Sequence, residues 1–151
     1  MTSSSTGDTI VQEITIKAPA ARIFDALVDP RHPPKWWGIK GRFEVTHMES
    51  DPRPGGKWLM HGTSGGTRAF TVSGVYQTVE RPRLLVLTWR PNWQGDDTES
   101  LVRWEFEEKD GATLVRLTHS GLVTAASRNS HQGWPQILAW LGAYAEGQAR
   151  A

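Results

Sequence analysis

The nine residues "GWPQILAWL", Gly133–Leu141, gather two tryptophans and three branched aliphatics near the end of a 151-residue chain. Read outward, Trp134, Ile137, Leu138, Leu141 and Tyr144 recur at helical spacing, which predicts an amphipathic helix over 134–148. Pro135 has no backbone N–H and suits a first helical turn or a kink. Residues 124–132 read as a less regular approach, with Ser127, Asn129, Ser130 and Gly133 able to cap or loosen it. What the apolar stripe covers depends on what comes before.

Working back from that helix, strand patterns occupy roughly Ala112–His119, Leu101–Glu107, Leu84–Arg90, Ala69–Val79, Lys57–His61 and Arg42–Met48. Their connections, "KDG", "NWQGDD", "ERPR", "GTSGG" and "DPRPGG", carry the residues that tight turns need. Ahead of them, "TIVQEITI" (9–16) puts Ile10, Ile14 and Ile16 on one alternating face. "APAARIFDALVDP" (18–30) then spaces Ile23, Phe24 and Leu27 as a helix until Pro30 stops it. "RHPPKWWG" (31–38) is a proline-punctuated turn into a short helical piece at Trp36–Trp37. If that piece is helical, adjacent residues diverge, so one of these indoles packs and the other gates a mouth or sits exposed. The order is therefore one strand, two short helices, a run of antiparallel strands and a long helix. Such a chain buries one face of a twisted, curling sheet against the last helix, an α+β architecture.

The strand faces follow from alternation. Phe70, Val72, Gly74 and Tyr76 share one face, as do Leu85, Leu87 and Trp89, then Val102, Trp104 and Phe106, then Val115, Leu117 and His119. Arg103, Glu105, Arg116 and Thr118 occupy the opposite face and suit water, so the first sets point inward. Gly74 in mid-strand marks a bend or a close backbone approach.

Composition narrows the function. There is no cysteine, which excludes disulfides and thiolate metal sites and is compatible with the cytoplasm. A formal charge of +1 provides no footprint for nucleic acid, and no run is long enough for membrane insertion. "MTSSSTGD" (1–8) reads as a disordered tail ahead of one domain over 9–148. Eight tryptophans against two tyrosines is unusual, because each indole buries a large area and must place its N–H.

Several stretches together resemble the START-like, helix-grip superfamily called SRPBCC, specifically the branch related to the C-terminal domain of the activator of heat-shock-protein ATPase. They are "IKAPAARIFDALVDP" (16–30), "KWWG" (35–38), "DPRPGGKW" (51–58), "SGVYQTVERPRLLVLTW" (73–89), "VRWEFEEKDGATLVRLTHSG" (102–121) and "GWPQILAWL" (133–141). The resemblance implies a curved antiparallel sheet of about seven strands wrapped round the long C-terminal helix, with two short helices after the first strand. It also implies a cavity between sheet and helix that often takes an apolar small molecule.

Joined to the face assignments, it makes Trp37, Trp58, Met60, Phe70, Val72 and Tyr76 candidate cavity residues. Leu87, Trp89, Trp104, Phe106 and His119 line it from the later strands, and Trp134, Leu138 and Leu141 from the helix. Tyr76 and His119 matter because a dry core avoids polar groups unless each is paired. The leading expectation is a binding protein for a hydrophobic or aromatic small molecule, serving as carrier, sensor or sequestering resistance protein. An enzyme of the polyketide cyclase or dehydratase kind needs a convergent acid or base, and only His119 and Tyr76 offer one. The third reading, a chaperone-ATPase-activator-like interaction domain, is weakened because the activator's domain works beside a second one, for which 151 residues leave no room.

Sharper motifs fail on context. "GTSGG" satisfies G-x-S-x-G at Ser64, but a strand pattern follows where a nucleophile elbow needs a helix. The five histidines show no metal-ligand spacing, and neither a metal nor a cofactor is expected. Asp96–Asp97 and Glu107–Glu108 read as solvated turn pairs, and Trp93 as a surface residue of its loop. The chain is expected to be a monomer or a homodimer, an exposed Trp140 favouring self-association.

Overall fold

The computed structural model describes residues 3–6, 9–39, 42–65, 67–92, 99–122, 124–125, 128 and 131–150. Two strands, β1 (Ser3–Thr6) and β2 (Thr9–Ile16), precede the helices α1 (Ala20–Val28) and α2 (Pro33–Trp36). Then come β3 (Gly38–Ile39), β4 (Phe43–Ser50), β5 (Lys57–Ser64), β6 (Arg68–Glu80), β7 (Leu84–Pro91), β8 (Ser100–Lys109) and β9 (Ala112–Ser120). The chain closes with α3 (Trp134–Arg150). The strands form one antiparallel sheet in the order β1-β2-β9-β8-β7-β6-β5-β4-β3. Seven long strands make the curled sheet that alternation predicts; the four-residue β1 and two-residue β3 extend its edges. Ser3–Thr6 lies in the segment read as a disordered tail, yet it pairs antiparallel with Thr9–Gln12. The edge of β2 offers unpaired main-chain groups, and a short polar segment satisfies them without needing an apolar face. Among the described residues, no helix is long and apolar enough to cross a membrane.

Local chemistry sets the curl. In "KDG", Asp110 and Gly111 both take positive φ, 56° and 80°, the two-residue turn whose twist matches its strands. At Gly74 a Cβ would stand 2.0 Å from the Thr88 carbonyl oxygen, so only glycine allows β6 and β7 to meet there. That carbonyl accepts the Trp58 indole N–H at 3.1 Å, while the Val75 amide donates to Thr88 Oγ1 at 2.8 Å. Register shifts between Val45 and His47 and between Tyr76 and Thr78 add further bends.

The helices are pinned at their ends. The Ala20 amide, first in α1, donates to Glu108 Oε1 at 2.8 Å. Glu108, read from sequence as one of a solvated turn pair, is thus a long-range cap: a carboxylate at the positive end of a helix. Arg81 joins the β6–β7 turn to Asp25 of α1 by two hydrogen bonds of 2.8 and 2.9 Å. Ile14 and Ile16 of β2 approach Gly142 of α3 so closely that a Cβ there would sit 3.4 Å from Ile16. Pro135 is the second residue of α3, in the first turn where its missing N–H breaks no bond. The predicted approach residues Ser127, Asn129 and Ser130 lie outside the described residues, as do Trp93 and Asp96–Asp97.

The expectation for Trp36 and Trp37 is overturned: both are buried, at 5% and 6% exposure, with ring centroids 4.9 Å apart. The divergence of neighbouring side chains holds only inside a helix. Here α2 ends at Trp36 and the chain leaves helical geometry after Trp37 (ψ 89°), so no helix face has to hold both, and the Trp37 ring is covered by Trp36, Trp89 and Trp134.

Register places the starts of β2, β4, β6 and β8 at one end of the sheet, with the ends of β5, β7 and β9. The links from α2 to β4 and from β9 to α3 arrive at this same end.

Candidate functional site

All fourteen residues expected from sequence to line a cavity are buried, and their aromatic rings pack on one another. The hydrophobic ones share one continuous core, in which the indoles crowd together. At the centre, Trp89 of β7 lies 5.3 Å from Trp134 of α3, 5.4 Å from Trp58 of β5 and 6.3 Å from Trp37, by ring centroids. Trp134 also meets Trp104 edge-on at 5.8 Å and Trp37 at 6.2 Å, and Trp104 leads to Phe106 at 6.3 Å. These separations are those of aromatic pairs in contact. Phe70 stacks instead on Phe43 at 4.9 Å, and the Tyr76 hydroxyl bonds Ser50 Oγ at 2.6 Å.

Polar groups thread that cluster. Trp134 Nε1–H donates to His119 Nδ1 at 3.0 Å, so the single proton of the neutral imidazole sits on Nε2. From there it donates to Ser100 Oγ at 2.7 Å, which leaves the serine hydroxyl to donate to the Trp89 carbonyl at 3.3 Å. Trp89 Nε1–H donates to His131 Nε2 at 3.0 Å. The two imidazoles lie edge to face with centroids 4.7 Å apart. Burial, helped by His131, pushes His119 down from 6.5 to about 2, so it stays neutral. Burial likewise pushes the Tyr76 phenol up to about 12.

Ser100 and His131 are the site members that sequence reasoning missed. Ser100 continues the inward alternation of Val102, Trp104 and Phe106 by one step, and starting the strand at Leu101 hid it. His131 precedes α3 in a turn, where no periodicity points. The remaining histidines go elsewhere. His32 Nδ1 and the Tyr144 hydroxyl share a 2.7 Å hydrogen bond that ties α2 to α3, and His47 stacks on His61 across β4 and β5 at 5.8 Å, both exposed. Ser64 ends β5 and the chain turns directly into β6, so it lacks the strand–turn–helix setting of a nucleophile.

Among the described residues, concavities also open elsewhere on the molecule, two of them as follows. One, of about 440 Å³, lies on the outer face over β5, β6 and β7, floored by Leu59, Gly74 and Val75 and rimmed by Lys57, Arg90, Glu49 and Glu99. The other, about 430 Å³, is a shallow surface between α1 and His32.

The fold recurs in solved structures. A protein from Chromobacterium violaceum superposes with a TM-score of 0.81 at 23% identity, covering 92% of this chain and 97% of that one. The AHSA1-like protein from Aeromonas hydrophila reaches 0.73 at 22% identity, with 92% and 94% covered. An HSP90 activator from Plasmodium falciparum reaches 0.68 at 20% identity, with 88% and 92% covered. No curated protein matches the sequence. Residues 17–146 match the family described as activator of Hsp90 ATPase homolog 1-like protein, and with the helix-grip geometry above, the chain belongs to that family.

Proposed function

We propose that the protein binds a hydrophobic or aromatic small molecule between the curled sheet and α3, at the end where Trp37, Trp89 and Trp134 converge. The observation that carries this reading is the concentration of indoles at one end of the sheet, interleaved with His119, His131 and Ser100. A wall of large flat rings with a few placed polar groups is what a small aromatic guest needs. The rings touch one another in the structure, so a guest enters by parting the first turn of α3 from β7 and β9, the end to which the α2 and α3 links lead. Met60, Leu87, Leu138 and Leu141 then form the apolar floor, and Phe70, Val72 and Tyr76 the far wall. A carrier, sensor or sequestering role in the cytoplasm needs no chemistry beyond this.

Binding is favoured over catalysis by the state of the two candidate acid–base groups. Both His119 nitrogens are engaged, and its pKa near 2 makes it a weak base at neutral pH. Tyr76, near 12, is a weak acid. Native mass spectrometry of purified protein, followed by titration with an apolar naphthalene dye, tests the reading. A retained small molecule or saturable one-to-one dye binding, weakened by Trp134→Ala, is expected. Absence of both in the folded protein overturns it.

A further inference from the structure

We propose that His119 and His131 form an acid-released latch that holds His131–Gly133 and the first turn of α3 against β7 and β9. Each imidazole reaches an indole N–H through a nitrogen that must be bare: His119 Nδ1 faces Trp134 Nε1–H, and His131 Nε2 faces Trp89 Nε1–H, both at 3.0 Å. One partner of each bond lies on the sheet and the other on the segment that ends at α3, so the two bonds staple that segment from both sides. A proton added to either imidazole lands on the nitrogen facing the indole, setting donor against donor inside a buried cluster. With both protonated, two cations stand 4.7 Å apart between ring centroids. A buried donor facing a donor costs its full desolvation, and the alternative is to open towards water.

Among the described residues, the groups around His119 are uncharged apart from His131. From β8, His119 meets the hydroxyl of Ser100; from β7 and α3 it meets indoles; from β2 it stands opposite Ile10. Among the described residues, His131 is the titratable group that acts on it. Beside His131, the main-chain carbonyl of Arg128 accepts its amide, and the Arg128 guanidinium, a further cation, bonds the Leu122 carbonyl. Arg90 of β7 and Glu99, just ahead of β8, rim the outer-face groove. Held neutral by burial, His119 keeps the latch shut at neutral pH. This inference rests on the proposed binding site only for its consequence, guest admission under acid.

Two near-isosteric changes separate titration from closure. Asn Oδ1 falls where His119 Nδ1 lies, and Gln Oε1 can reach where His131 Nε2 lies, so H119N/H131Q keeps both acceptors and cannot take a proton. Hydrogen exchange of the full-length protein between pH 7.5 and 4.5, read as protection factors, is the measurement. In the parent, protection of the His131 and Ile137 amides, bonded to the Arg128 and Gly133 carbonyls, falls at least about tenfold with acid while the β8–β9 core holds. In the double variant it changes less than about twofold, and H131Q alone lies between them. Equal pH profiles in parent and double variant, or a fall uniform along the chain, overturn the latch. If the double variant does not fold, the H131Q single variant decides by the same criterion. A naphthalene dye added at pH 5 separates the two ideas: local opening without dye uptake keeps the latch and removes the binding site.

Discussion

Replacing Trp134 by alanine tests the interior most directly. Its indole is 1% exposed and touches Trp37, Trp89, Trp104 and His119. Removing a large buried aromatic costs about 3–5 kcal/mol, transfer and residual cavity together. His119 Nδ1 would also lose its donor, and a buried acceptor left alone costs about 1–3 kcal/mol more unless water fills the gap. Alanine's helix propensity returns less than about 0.7 kcal/mol. The net expectation is about 5 kcal/mol, a shift of roughly 2.5 M in urea midpoint at a slope near 2 kcal/mol/M. Trp140 is the internal control. Six residues on, about 240° round the helix, it is only partly buried against the core. Trp140→Ala should cost about 1–2 kcal/mol and leave dye affinity nearly unchanged. Urea melts and dye titrations of both variants read the difference. Equal losses, or a larger one for Trp140→Ala, would refute the assignment of the gripping face.

Three further outcomes follow from the packing. His119 is depressed from 6.5 to about 2, so stability is full above pH 6.5 and falls as the unfolded chain takes up a proton the folded chain refuses. The slope is at most about 1.4 kcal/mol per pH unit, roughly 2 kcal/mol lost by pH 5, and His119→Asn should flatten it in urea melts run between pH 7 and 4.5. Gly74→Ala would drive a Cβ to 2.0 Å from the Thr88 carbonyl; a loss of about 1–3 kcal/mol is expected, and an unchanged melting midpoint would deny the close approach. Glu108→Ala frees the Ala20 amide that opens α1; a loss of about 1 kcal/mol, with faster exchange in the first turn of α1 only, is the expected reading.

The helices and strands were legible in the sequence because their cause is local. Period-two alternation marks β6, β8 and β9, helical spacing marks α1 and α3, and "KDG" and Gly74 mark a turn and a bend wherever the chain goes afterwards. Inward faces follow from the same alternation, which is why every predicted interior residue is buried. The placement of β2 beside β9, the capping of α1 by Glu108 and the orientation of Trp37 were decided only by the tertiary structure. So was the union of Ser100, His119, His131, Trp89 and Trp134, drawn from three neighbouring strands, the approach to α3 and its first residue. Alternation says that a side chain points inward but not what it meets there. Partners far apart in the chain are chosen by strand order and sheet curl, and those arise from the whole sheet closing on one helix.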